Sequence, residues 1–131
     1  MAHRVTAPAM QRARRLLDQR ITPFVTTGAI NFAVTSTEEW FESPGYEAAV
    51  ASPVTPFVIG SKWGQAWHTR WFHLTTVVPE HLANVNIAAY VDIGFNGRGD
   101  GFKTEALAYM NGQIVHAIPP DRRLLHLGAH D

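Results

Sequence analysis

The 131-residue chain contains no cysteine. Disulfide bonds and thiolate metal sites are therefore excluded, and this composition fits a reducing compartment. Long apolar runs are also missing, since no stretch approaches the roughly 18 residues that a membrane-spanning helix needs. Residues 1–8 have no hydrophobic signal core. We therefore expect a cytoplasmic protein with no membrane partner.

The chain also lacks an excess of charge of one sign. Lysine plus arginine number 11 and aspartate plus glutamate number 11, so no electrostatic field favours a nucleic acid or an anionic lipid. The 46% hydrophobic and 17% charged content is ordinary for a globular protein. A chain of this length suits one domain, which can bury roughly two-thirds of its unfolded surface.

The first part of the chain predicts one amphipathic helix over 9–21. Its apolar residues recur close to helical spacing, and they are Ala9, Ala13, Leu16, Leu17 and Ile21. We expect Pro23 to end the helix. The arginines between these positions are expected to face water while the apolar side packs on a core, with a membrane-surface helix as the alternative.

The remaining chain predicts β-strands. Residues 30–35 alternate with period two, whereas 36–56 is predicted to be loop because serine, proline and glycine interrupt it. Asn111-Gly112 between two apolar runs predicts a hairpin. The other predicted strands are 67–78, 85–93, 104–110, 113–117 and 124–127. The predicted fold is all-β, an antiparallel jelly-roll-like β-sandwich preceded by one N-terminal α-helix.

Four tryptophans in so short a chain suggest a carbohydrate platform, because flat aromatic rings stack on the apolar faces of pyranose rings. Trp63, Trp67 and Trp71 occur at i, i+4 and i+8, and on one strand Trp67 and Trp71 would point to the same side. Core packing is the competing interpretation, and it is favoured for Trp71. For Trp63, beside Gly64 in the turn before the strand, both interpretations stay open.

Histidines and carboxylates give weaker signals. The histidines lack zinc-ligand spacing. Residues 92–100 partly follow a calcium-loop pattern, but Gly94 offers no ligand at the third position, and glycines that allow positive φ explain the loop more simply. The carboxylates that could serve catalysis are Asp92, Asp100 and Glu105. Nothing in the sequence forces two of them to converge across a cleft, so we predict no catalytic residue and no metal site.

An ordered set of motifs from about Met10 to Leu127 carries a family resemblance. The motifs are Arg20–Pro23, Pro56–Gly60, Trp63-Gly64, Trp67–Thr75 closing on Pro79, Val91–Phe95, Gly101–Leu107 with Tyr109, and Asn111–Val115. In this order they resemble the N-terminal β-sandwich domain of the class II α-mannosidases, glycoside hydrolase family 38, in the branch of bacterial and vacuolar or cytosolic enzymes. The resemblance implies a galactose-binding-like jelly roll.

The resemblance further implies an enzyme that removes terminal α-mannose residues from oligosaccharides, with a retaining mechanism, a zinc ion and an Asp nucleophile. In the family these belong to a later catalytic domain that opens with a His-x-Asp-x-x-Trp motif, which His68–Trp71 does not fit. We therefore expect 1–131 to be one accessory domain that lacks its last strands and the catalytic domain. It is expected to be inactive alone and without a cofactor, zinc belonging to the parent enzyme's catalytic domain.

The expected partner is that downstream catalytic domain, with an oligosaccharide and a second copy of the chain as further candidates. An unfinished sandwich leaves a sheet edge unpaired, so we expect the isolated chain to dimerise or aggregate. One alternative is a free-standing carbohydrate-binding module, with Trp63, Trp40 and loop 36–56 as a rim and Asp92 or Asp100 bonding sugar hydroxyls. The other is a structural oligomerisation domain, which requires a large exposed apolar patch and no pocket.

Overall fold

A computed structural model describes residues 6–26, 28–95 and 104–129. The chain divides into two compact units, 1–31 and 32–131. The first unit contains the helical segments between residues 6 and 25, and the second contains all of the described strands. Among the described residues, no helix is both long enough and apolar enough to cross a membrane.

The helical unit consists of α1 (Thr6–Leu16), a π-helical turn (Leu17–Ile21) and α2 (Thr22–Val25). The prediction that Pro23 ends the helix is wrong, because Pro23 lies in the first turn of α2. The π-helical turn explains how the helical segment continues through Pro23. The backbone N–H of Thr22 bonds to the carbonyl of Leu17, one residue further back than in an α-helix. This wider turn lets a proline, which has no N–H, follow without breaking the helical path.

The first sheet has the strand order β2-β1-β3 and is antiparallel. Its strands are β1 (Ala33–Trp40), β2 (Thr55–Pro56) and β3 (Thr69–Thr75). The predicted strand at 30–35 therefore lies later than expected, and the prediction of a loop over 36–56 is wrong. That segment contains the end of β1, helix α3 (Tyr46–Ala51) and β2. Pairing of β1 with β3, a long-range contact, overrides the local proline and serine pattern.

The other described strands form two antiparallel pairs. The second sheet joins β4 (Asn86–Tyr90) to β7 (Leu124–Ala129), and the third joins β5 (Ala106–Met110) to β6 (Gln113–Ile118). The predicted Asn-Gly hairpin is confirmed: Asn111 and Gly112 have φ of 51° and 79°, as a two-residue primed turn requires. The prediction of an all-β antiparallel fold with an N-terminal helix is confirmed.

The β5–β6 hairpin contacts a different sheet with each face. On one face Ile118 joins Ala89 of β4 and Leu125 of β7 in a small buried cluster. Partly buried residues complete that cluster, namely Phe32, Val91, Phe95, Ala106 and Ala108. On the other face Tyr109 stacks against aromatic rings from α3 and the first sheet. The hairpin therefore connects the layers of the second unit.

Candidate functional site

A loop between β2 and β3 is fixed to the first sheet by one carboxylate. Glu39, near the end of β1, accepts the backbone N–H of Gly64 on Oε1 at 2.9 Å and that of Gln65 on Oε2 at 3.0 Å. The guanidinium of Arg70, its cross-strand partner in β3, lies 3.2 Å from Oε1. Both carboxylate oxygens are thus engaged by charge-assisted bonds. We call Glu39 with these partners the carboxylate clasp.

The carboxylate clasp keeps Glu39 ionised. The backbone N–H groups of Gly64 and Gln65 hold the pKa of Glu39 below its ordinary value of 4.5, and the positive charge of Arg70 adds to this effect. Burial acts in the opposite direction but is outweighed. A carboxylate held this way organises a loop and is poorly suited to donate or accept a proton.

Trp63, one of the predicted carbohydrate-binding residues, packs inside this region. Its ring meets Phe72 of β3 edge-on, with centroids 4.9 Å apart, and Phe57 meets Phe72 in the same way at 5.0 Å. Trp63 is half-buried as a result. These contacts support a packing role for Trp63, which also anchors the loop next to the carboxylate clasp.

Trp40 lies on the opposite face of the first sheet. Trp40 pairs with Thr69, whereas Glu39 pairs with Arg70, and neighbouring residues on a strand point to opposite faces. Arg70 shares its face with Phe72, and therefore with Trp63. The structure thus places the two predicted tryptophans on different faces of one sheet and does not join them in one rim.

Trp67 is the most exposed of the four tryptophans, with 85% of its surface accessible. It precedes β3 and has a left-handed backbone with φ of 67°, so the prediction that it shares a strand face with Trp71 is wrong. The turn is closed by the N–H of His68 donating to the carbonyl of Gln65. The ring of Phe41, itself 70% exposed, meets His68 edge-on at 5.7 Å. We call Phe41, Trp67 and His68 the aromatic patch.

Trp71 has the packing role that the sequence favoured. Its ring lies 6.1 Å from Tyr46 of α3 and 5.2 Å from Tyr109 of β5, while Tyr46 and Tyr109 stack at 5.0 Å. Its indole Nε1 is buried without a hydrogen-bond partner among the described residues. Trp71 therefore joins the first sheet to the hairpin.

Asp92 occupies a loop after β4, away from the first sheet in sequence and pairing. Its Oδ1 accepts the N–H of Gly94 at 2.9 Å and that of Phe95 at 3.3 Å, and its Oδ2 lies 2.6 Å from Nη1 of Arg123. The N–H of Gly94 is the largest influence that lowers the pKa of Asp92 below 3.8, and burial opposes it. Asp92 closes a turn, while the predicted Asp100 lies outside the described residues.

Histidines line a small cavity between the hairpin and β7. It measures about 90 Å³, room for a few water molecules, and its lining residues are Met110, Val115, His116, Leu125, His126 and Leu127. Within 6–26, 28–95 and 104–129, no three histidine, aspartate or glutamate side chains converge to hold a metal ion.

Sequence reasoning missed the carboxylate clasp and the aromatic patch. Glu39 bonds a loop 25 residues away, and Phe41, just after β1, meets His68, just before β3. Neither contact leaves a local pattern. The one available signal was the glycine-containing turn at Gly64, where φ is 87° and the backbone N–H needs an acceptor from outside the turn.

Comparison with known proteins found one matching family. Residues 28–129 match the family described as "Alpha-mannosidase, jelly roll domain". The matched segment begins after the helical segment and ends with the last residue of β7. No curated protein and no solved structure matches the chain.

Proposed function

Because the chain belongs to the α-mannosidase jelly-roll domain family, the N-terminal domain type of glycoside hydrolase family 38, we propose that it is a non-catalytic packing element of such an enzyme. In this role it presents apolar strand surface to another part of an enzyme that hydrolyses terminal α-mannose residues. Zinc and the reacting carboxylates belong, in this proposal, to that other part.

The observation that carries this proposal is apolar surface on paired strands. On the β5–β6 hairpin, Leu107 and Ile114 share the face of Tyr109 and are 55% and 58% exposed. On the second sheet, Tyr90 and Leu124 are also exposed, but they lie one residue along from the buried Ala89 and Leu125 and so point away from the hairpin. Neighbouring exposed apolar side chains on one face, such as Leu107 and Ile114, mark interaction sites. We call Leu107 and Ile114 the packing surface.

The surroundings of two described carboxylates, Glu39 and Asp92, agree with a non-catalytic role. Glu39 and Asp92 each accept two backbone N–H groups and lie beside an arginine. A glycosidase needs one carboxyl group whose pKa is raised so that it can act as an acid. The pKa of each of these two groups is lowered instead.

The catalytic side of the proposal is tested with p-nitrophenyl α-mannoside. The purified chain, with and without added zinc, is expected to release no p-nitrophenol above the buffer rate. A family 38 α-mannosidase with its catalytic domain serves as the positive control. Turnover that copurifies with the chain and disappears in an Asp92→Asn variant would show that the chain is itself catalytic.

The packing side is tested by sedimentation velocity. We expect the isolated chain to associate as its concentration rises, because the packing surface is left exposed by the residues that the structure describes. The double variant Leu107→Glu/Ile114→Glu is expected to sediment as a monomer. Gln113→Glu adds charge to the same strand at an exposed position outside the packing surface and should leave association unchanged. Monomeric wild type at every concentration would contradict the proposal.

A further inference from the structure

The aromatic patch serves neither the buried cluster nor the packing surface. We propose that it binds a pyranose ring of an oligosaccharide, with the indole of Trp67 as the stacking platform. This inference does not rest on the proposed packing role. It also differs from a rim of Trp40 and Trp63, since those rings lie on opposite faces of the first sheet.

The indole is displayed by a fixed loop. Glu39 holds the backbone of Gly64 and Gln65, and Trp63 anchors the same loop on Phe72. Trp67 then adopts a left-handed conformation that few non-glycine residues take, in a turn closed by the N–H of His68. The backbone that carries this exposed indole is thus fixed, so a ligand that covers the ring has to order only the side chain and not the loop.

His68, the next residue in the chain after Trp67 and in edge-on contact with Phe41, supplies a polar group to the aromatic patch. Its Nδ1 lies 2.9 Å from the carbonyl oxygen of Ala66, and a carbonyl only accepts, so Nδ1 carries the proton. In the neutral ring Nε2 is then an acceptor, and no bond to Nε2 is made within the described part of the chain. A sugar combines an apolar ring face, which suits the indole, with hydroxyl groups that can donate to Nε2.

The size of the aromatic patch favours a sugar over a protein partner. Aromatic side chains present about 150–250 Å² each, so Trp67 at 85% and Phe41 at 70% exposure offer on the order of 300 Å². A stable protein interface needs about 800 Å² from each partner. One or two sugar rings match the smaller area.

The test labels the chain with 5-fluorotryptophan and follows its ¹⁹F NMR spectrum. The four tryptophans give four resonances, which single tryptophan-to-phenylalanine variants assign. Titration with mannobiose is expected to shift the Trp67 resonance saturably and to leave those of Trp40 and Trp63 in place. Sorbitol, an acyclic polyol without a ring face, is expected to shift none of them.

Isothermal titration calorimetry compares mannobiose binding by two matched variants. Trp67→Ala is expected to lose mannobiose binding while its circular dichroism stays that of wild type, and Trp40→Phe is expected to keep binding. The proposal is overturned if no resonance saturates, if only Trp40 or Trp63 responds, or if sorbitol acts like mannobiose. It is equally overturned if the Trp67 resonance moves only with protein concentration, because the aromatic patch would then be a contact between copies of the chain.

Discussion

Two regions of the second unit are stabilised by different kinds of contact. One region is the first sheet, and the other is the second sheet with its neighbouring hairpin. Around the first sheet, large rings and a charged group make the contacts: Trp63 on Phe72, and Glu39 across to Arg70. Between the second sheet and the hairpin, the buried contacts come from short aliphatic side chains such as Ala89 and Leu125. The comparison teaches that rings and directed bonds fix an exposed loop, while a small apolar cluster leaves neighbouring apolar residues uncovered.

The largest expected effect comes from removing the ring that connects the two regions. Trp71→Ala should lower the free energy of unfolding by about 3 kcal/mol, because it deletes the contacts to Tyr46 and Tyr109. Urea denaturation followed by far-ultraviolet circular dichroism measures this. Trp67→Ala is the matched control and should change stability by less than about 0.5 kcal/mol. Equal losses in both variants would contradict the assignment of Trp71 as the connecting ring.

A smaller effect is expected within the aliphatic cluster. Leu125→Ala should cost about 2 kcal/mol, since Leu125 is buried against Ala89 and Ile118 and its loss leaves a cavity. The neighbouring Leu124→Ala, at an exposed position, should cost under about 1 kcal/mol. The same denaturation experiment compares the two. If the exposed leucine proved the more costly, the apolar cluster would not be the core of this region.

The carboxylate clasp should show itself in the pH dependence of stability. Because the pKa of Glu39 is lower in the folded chain than the ordinary 4.5, its stabilisation is present above that value and is lost as pH falls through the folded pKa. Glu39→Gln should therefore cost about 1.5 kcal/mol at neutral pH and nothing at the acid end. Glu38→Gln, one residue away and exposed, is the control. A Glu39→Gln penalty that persists unchanged below the folded pKa would argue against an ionic role.

The smallest effect is expected at Asp92. Asp92→Asn keeps an oxygen for the N–H of Gly94 but loses the ion pair with Arg123, and this carboxylate is 43% exposed. Solvent screening limits the loss to about 0.5 kcal/mol. Denaturation at low salt and in about 1 M NaCl should show that the difference between variant and wild type shrinks. A salt-independent loss would assign the effect to the turn and not to the ion pair.

Sequence predicted the parts of this fold that depend on neighbouring residues. The Asn111-Gly112 hairpin was found because both residues must adopt positive φ there. The end of β1 was missed because its partner, β3, follows nearly thirty residues later in the chain. Helix α3 was missed because its six residues are too few to show a helical period. The alternating pattern therefore reveals the fold class but not the strand boundaries.

In the candidate sites, too, the sequence predicted what depends on a residue itself and its neighbours, and missed what depends on a distant partner. Trp71 could be assigned to packing from its size and its place in an apolar run. The exposure of Trp67 could not be predicted, because it depends on a turn whose geometry is set by Glu39 from another strand. Tryptophan spacing alone treats the two residues alike.

The π-helical turn Leu17–Ile21 changes which residues of the helical segment point the same way. In a continuous α-helix Leu17 and Phe24, seven residues apart, would lie one above the other. One extra residue in the π-helical turn rotates α2 by about 100° around the helix axis. Phe24 then lies above Leu16, and a stripe that would run straight down one side of a regular helix is divided into two offset halves.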